Sequence, residues 1–280
     1  PVAHVGVGEE LILETYDCWC EKIKGEGEYG LPEDAKLPNT GPIYINGAST
    51  GDIIAVEILN IECDSRGILT KVKNEGKLKL FADAPYTKIV KIENGFTYFN
   101  NDLVIKNKPH IGTIGTTPQG RIPTLLPGNH CGNFDCPEIC AGTTIYLPVF
   151  VEGGLLQMGD VHANMGEGEI YCGVECGAEI TIRIKEIIKN RSLAYVVLES
   201  KDYWYTLGNA PTLMEATKIS SKRMADFLYE RLDISFDDVA MLLSAAANNR
   251  IGQDGDAFYD VTCYTQFPKY IDRKGRLERF

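Results

Sequence analysis

From the first residue to about residue 200, this chain is a succession of short β-prone runs cut off by glycine or proline. Val5 to Leu13, Ile53 to Ile61, Thr143 to Val151, Glu179 to Ile188 and Leu193 to Glu199 all read as strands, rich in β-branched residues and bounded by turn formers. Ile180-Thr181-Ile182-Arg183-Ile184-Lys185 alternates apolar and polar residues, the pattern of a strand with one buried face. Many such strands need a second layer to cover that face, so a mainly β, jelly-roll-like β-sandwich is expected. Val151-Glu152-Gly153-Gly154-Leu155 reads as a tight hairpin connection. Residues 22 to 41 read as a charged surface loop, and 64–108 as an inserted subdomain or a long excursion from the sheet.

After residue 200 the texture changes. Thr212-Leu-Met-Glu215 is a capping-box pattern just after Pro211. Leu213, Ala216, Ala225, Leu228 and Leu232 then mark one helical face. Ser235-Phe-Asp-Asp238 starts a second helix, with its acids at the positive end of the helix dipole. Val239, Leu242, Leu243 and Ala246 follow on one side, and Asn248-Asn249 supplies a stop. The expected organisation is a β-rich domain over 1–200 that carries the functional site. A smaller α+β part over 201–280, containing the C-terminal helical hairpin, packs on it.

Charge narrows the function classes. A net charge of -11, with scattered cations, lacks the basic footprint that nucleic acid requires. No apolar run approaches the ~20 residues of a membrane span, and no targeting segment is visible. The nine cysteines are dispersed, without the paired spacing of a zinc knot. They read as reduced thiols, which sets the expectation of a cytoplasmic protein.

The chemistry concentrates between Met158 and Glu175. Asp160, His162, Glu167, Glu169 and Glu175 are metal-capable side chains set among glycines. Gly132-Asn133-Phe134-Asp135 is a second polar knot shortly before them. Asp160 and His162 are two apart, which on a strand puts both on one face. One imidazole among carboxylates suits zinc or a harder divalent ion. The candidate ligands are therefore Asp135, Asp160, His162 and Glu175. Asp160 as a turn aspartate and His162 as a hydrogen-bonded structural histidine are the alternatives. Purely structural use of calcium in a non-catalytic, ligand-binding jelly roll is a second reading, which His162 disfavours.

The motifs resemble the acetamidase/formamidase family along nearly the whole chain. The similar blocks are Gly8-Glu9 with Glu14-Thr15-Tyr16-Asp17, then Gly41-Pro42-Ile43-Tyr44-Ile45-Asn46-Gly47-Ala48 with Gly51-Asp52. Pro109-His110-Ile111-Gly112 follows, with Gly115 and Pro118. Gly132-Asn133-Phe134-Asp135, Leu147-Pro148-Val149, Gly159-Asp160-Val161-His162 through Gly168-Glu169, and Glu175 form the most specific part. Leu242-Leu243-Ser244 is similar to the C-terminal block. The chain departs from the family's pattern at Cys131, where glycine is usual, and at His110, where phenylalanine is usual.

The resemblance implies hydrolysis of a small carboxamide, of formamide or acetamide type, to carboxylate and ammonia. It implies a divalent metal, zinc first with calcium as the candidate for a second ion, and a homodimer or higher assembly, with hydrolysis of another C–N bond, such as a cyclic amide, as the alternative reaction. Such an ion lowers the pKa of bound water toward ~7. Glu169 is then the candidate base that takes up the water's proton and passes it to departing ammonia. Asn133 is the candidate for holding the substrate amide or orienting a ligand, with a structural turn as its alternative. His110 and Gly132 are the candidates for substrate contact.

Overall fold

Strands form where β-branched residues alternate or run together, and turns form where glycine allows the backbone to reverse. A computed structural model describes residues 1–28, 37–73, 75–82, 84–254 and 259–280. Residues 29–36 of the expected 22–41 loop lie outside the described residues. In chain order the first strands are β1 (Ala3–Val5), β2 (Glu10–Thr15), β3 (Asn39–Ile45), β4 (Ile53–Cys63), β5 (Arg66–Lys71) and β6 (Tyr86–Glu93). There follow β7 (Phe96–Tyr98), β8 (Val104–Lys106), β9 (His110–Gly115), β10 (Cys131–Asn133), β11 (Thr144–Pro148) and β12 (Leu156–His162). The last are β13 (Glu175–Cys176), β14 (Ala178–Ile188), β15 (Val197–Glu199), β16 (Tyr203–Ala210), β17 (Asn248–Ile251) and β18 (Val261–Pro268). Two helices, α1 (Leu213–Tyr229) and α2 (Phe236–Ala246), lie between β16 and β17.

The protein is mainly β, as expected, and its strands make two sheets. One runs β1-β3-β12-β13-β5-β6-β7-β8, with β9 pairing β12 and β10. The other runs β17-β18-β16-β15-β11-β4-β14-β2. An apolar cluster joins Ile43, Ile111, Ile114 and Val161 of the first sheet to Ile54, Val56, Ile182 and Ile184 of the second. On the other face of the second sheet, Ile53, Tyr146 and Trp204 meet Met224, Phe227 and Leu228 of α1 and Val239 of α2. The second sheet is thus covered on both sides, which explains why β4 opens with a continuous apolar run. Each fully buried side chain of this size contributes about 1.5–3 kcal/mol.

The helix starts are as the capping signals indicate. Glu215 N donates to Thr212 Oγ1 at 3.3 Å, and Thr212 Oγ1 donates back to the Glu215 carboxylate at 2.7 Å. Ser235 caps α2 in the same way, accepting from Asp238 N at 3.1 Å. Asn248 and Asn249 do not merely stop the helix but begin β17. Segment 64–108 supplies β5 to β8, which extend the first sheet. No helix among the described residues is long and apolar enough to cross a membrane.

Two expectations are corrected. Val5 to Leu13 is not one strand: the chain turns at Gly8, in the left-handed region at φ 85°, and separates β1 from β2 in different sheets. The 151–155 turn does not close a hairpin. β11 pairs β4 and β15, whereas β12 pairs β3, β9 and β13, so the turn carries the chain from one sheet to the other. Gly153, Gly154 and Leu155 are all left-handed there, and a Cβ on Gly153 would sit 2.2 Å from the Tyr44 ring.

Candidate active site

His162 ends β12, where its cross-strand neighbours are Glu175 of β13 on one side and His110 of β9 on the other. The imidazole uses both. Its Nδ1 lies 3.1 Å from His110 Nε2, and its Nε2 lies 3.0 Å from Glu175 Oε1. His110 Nδ1 faces the Lys108 carbonyl at 3.2 Å. A carbonyl can only accept, so His110 carries its proton on Nδ1 and offers Nε2 as an acceptor. His162 therefore donates from Nδ1 and directs Nε2 at the carboxylates. Burial, then the neighbouring His162 charge, holds the His110 pKa well below its usual value, in keeping with a neutral ring. Burial works against charge on His162 too. The Glu175 carboxylate, by charge and hydrogen bond, and then Asp160 and Asp135 outweigh it and raise the His162 pKa well above its usual value.

Asp160 stands within β12 and Asp135 in the turn after β10, both in left-handed backbone at φ 59° and 44°. Gly112 of β9 is what lets them approach. A Cβ there would sit 2.4 Å from Asp135 Oδ1 and 2.7 Å from Asp160 Oδ2. With its amide nitrogen toward the acids, Asn133 donates to Asp135 Oδ2 at 3.1 Å and Asp160 Oδ2 at 3.2 Å. Thr113 Oγ1 adds a donor to Asp160 Oδ2 at 3.2 Å. The Asn133–Asp135 turn is held from behind by β18 and the residues before it. Gln253 Nε2 donates to the Asn133 carbonyl at 2.9 Å, and Thr262 Oγ1 to the Phe134 carbonyl at 2.7 Å.

Glu169 arrives on a glycine-flanked turn at φ 37°, anchored where Gly168 N donates to the Gly252 carbonyl at 2.9 Å. Three sets of donor atoms lie within 4.8 Å of one another: Asp135, Asp160 and His162; His162, Glu169 and Glu175; Cys18, Asp160 and Glu175. Shared corners make them one cluster. It forms one wall of a cavity of about 100 Å³, whose other walls include Trp19, Leu37, Leu125, Tyr171 and Tyr259.

Burial and like charge dominate the electrostatics of this cluster. Burial raises the Asp135 pKa to about 6, with His162 lowering it and Glu175 raising it. Burial, then Asp135 and Glu175, pushes Asp160 well above the carboxylate range. Burial and the Asp135 charge do the same to Glu169. The second oxygen of Glu175, in a residue only 2% exposed, has no hydrogen-bond partner among the described residues. Crowded buried carboxylates with one imidazole, and an orphaned oxygen among them, fit a bound cation, whose charge inverts these shifts.

The structure therefore brings together six of the residues expected from sequence: Asn133, Asp135, Asp160, His162, Glu169 and Glu175. It places His110 and Gly132 outside the walls of this cavity. His110 is fully buried behind His162, and Gly132 faces a separate small hollow beside His130. Glu167 also leaves the cluster, pairing with Arg250 at 2.6 Å. Sequence reasoning missed Cys18, Trp19, Tyr171 and Tyr259. The signal for the first two was Asp17, two residues after β2. Its Oδ1 accepts from Trp19 N and Glu21 N, both at 2.9 Å, and the resulting turn carries Cys18 and Trp19 to the cavity.

These observations define a mainly β protein of two packed sheets with a buried acid–imidazole centre beside a very small cavity. The chain belongs to the acetamidase/formamidase family, which it matches over residues 1–126 and 122–251. It is 40% identical over 247 residues to a formamidase of Methylophilus methylotrophus, covering 65% of this chain and 60% of that protein. It is 36% identical over 224 residues to an acetamidase of Mycolicibacterium smegmatis, covering 56% of this chain and 55% of that one. The chain thus matches less than two thirds of the length of these relatives. The crystal structure of an acetamidase from Bacillus halodurans superposes with a TM-score of 0.93 at 35% identity, over 98% of this chain and 93% of that one.

Proposed function

We propose that this protein hydrolyses a small aliphatic carboxamide, of formamide or acetamide size, to carboxylate and ammonia at a divalent-ion centre. The observation that carries the reading is the cluster of buried His162, Asp135, Asp160 and Glu175 with half-buried Glu169 on one wall of a cavity of about 100 Å³. That space is below the size of a drug-like pocket and suits a small substrate. The names of the family relatives agree with this substrate class.

Asp135, Asp160, His162 and Glu175 are the residues that would hold the ion, and an imidazole among carboxylates favours zinc over calcium. The ion supplies Lewis-acid polarisation of the carbonyl and a lowered pKa for water beside it. Glu169 accepts the proton released as water attacks the amide carbon, and returns it to the nitrogen as the C–N bond breaks. Water and amide then leave as carboxylic acid and ammonia. Asn133 acts by donating to Asp135 and Asp160, which fixes the orientation of both carboxylates. His110 fixes the His162 tautomer from behind. Burial of the cavity walls excludes bulk water and strengthens these interactions. Nine free cysteines fit a reducing, cytoplasmic setting. Homodimeric assembly belongs to the same reading and is checked by sedimentation.

The test is ammonia release across formamide, acetamide, butyramide and benzamide, with ring opening of a cyclic amide followed separately as appearance of the amino acid. The reading expects kcat/KM to peak at formamide or acetamide and to collapse for benzamide. Ring opening of the cyclic amide with no ammonia from any linear amide contradicts it.

A further inference from the structure

We infer that Cys18 supplies a thiolate to an ion held together with Asp160 and Glu175, a sulfur- and oxygen-ligated position that selects zinc over calcium. The inference rests on the divalent-ion reading above and adds a ligand that comes from a distant part of the chain.

Three observations carry it. Cys18 is buried, lines the same cavity as the acids, and its Sγ lies within 4.8 Å of ligand atoms of both Asp160 and Glu175. Two donors on one tetrahedral zinc, with Zn–S near ~2.3 Å and Zn–O near ~2.0–2.2 Å, are themselves roughly 3.5 Å apart. A small side-chain rotation closes the difference. Secondly, Glu175 uses Oε1 for His162, while its Oε2 is buried and without a partner among the described residues. That oxygen has a lone pair left for an ion beside Cys18. Thirdly, the thiol is not placed by accident of a loose loop. The Asp17 carboxylate holds the turn through Trp19 N and Glu21 N, and Cys18 packs with Trp19, Ile23 and Ile68.

The chemical consequence follows from ligand softness. Carboxylates and an imidazole accept several divalent ions, whereas a thiolate discriminates against calcium and magnesium and favours zinc. Taking up zinc converts the Cys18 S–H to a thiolate and releases that proton to solvent, with no change of oxidation state.

The experiment is reconstitution of the full chain with cobalt(II) after removal of bound ions, with cobalt content measured by elemental analysis. Wild type is expected to show a sulfur-to-cobalt charge-transfer band in the near ultraviolet. Cys18→Ser should lose that band, and Cys20→Ser, altered on the far side of Trp19, should keep it. In parallel, Cys18→Ser should weaken zinc on the order of 100-fold and leave calcium within a few-fold. Stoichiometric cobalt without the band overturns the assignment of Cys18 and leaves the divalent-ion reading standing. Failure of wild type to bind any divalent ion overturns both. Should Cys18→Ser not fold, X-ray absorption of the zinc-loaded wild type decides: a sulfur scatterer near ~2.3 Å supports the inference and its absence contradicts it.

Discussion

The strand pair β4–β14 and the strip β9–β12–β13 are both buried, yet they are built on opposite principles. In β4–β14 the inward positions are apolar: Ile180 lies opposite Ile61, Ile182 opposite Ile58 and Ile184 opposite Val56. Outward positions such as Arg183 meet Glu57 at 3.1 Å and Glu10 at 2.5 Å. From Ile180 to Ile184 the choices agree with a half-buried strand, the apolar start of β4 fits a strand covered on both faces, and the pair stabilises the fold. In β9–β12–β13 the buried positions include His110, Asp160, His162 and Glu175, with left-handed backbone at Asp160. Strain, desolvation and like charge accumulate there, and the rest of the fold supports them. The lesson is that stability and chemistry have been assigned to different strands of neighbouring sheets.

The comparison can be broken at either end. The largest expected effect is from Asp160→Asn. It should abolish stoichiometric divalent-ion binding and lower amide turnover on the order of 10³-fold or more, several kcal/mol of lost transition-state stabilisation. Urea unfolding of the ion-free variant should show no loss of stability, because the substitution removes a carboxylate that burial and its neighbours already disfavour. Glu169→Gln comes next, with turnover reduced about 10²- to 10⁴-fold and ion content unchanged by elemental analysis.

Ile182→Ala is the converse. Removing a fully buried side chain between the sheets should cost about 2–5 kcal/mol in urea unfolding, while the folded fraction keeps its ion and its turnover. Should this variant lose its ion while still folded, the separation drawn between the two regions does not hold. The smallest effect is His110→Phe, which restores the residue usual in the family's motif and removes the acceptor for His162 Nδ1. Ion affinity by competition with a chelator should fall about tenfold, at the low end for a residue behind a ligand.

The same contrast explains what could be read from the sequence. β4 and β14 announce themselves through local alternation, and α1 and α2 through Thr212 and Ser235, because each signal lies within a few residues of the element it sets. Asp160, His162 and Glu169 were legible as residue types in a glycine-rich setting. The cross-strand meeting of His162 with Glu175 and His110 was not, because it depends on the register of β12 against two other strands. His110 looked like a pocket residue for that reason, and the structure places it behind His162. Gly153 and Gly154 signal a tight turn, but which sheet the next strand joins is set by distant partners. Cys18 was read only as one of nine dispersed reduced thiols, since its neighbours in space, Asp160 and Glu175, are remote in sequence.

The measurement that tests the central claim most directly is elemental analysis of the purified protein, paired with ammonia release from formamide and acetamide before and after chelation. The account predicts one zinc or similar divalent ion per chain, with activity lost on chelation and restored when the ion is returned. Turnover that persists in ion-free protein would contradict it, leaving the buried carboxylates as structure and the nucleophile elsewhere.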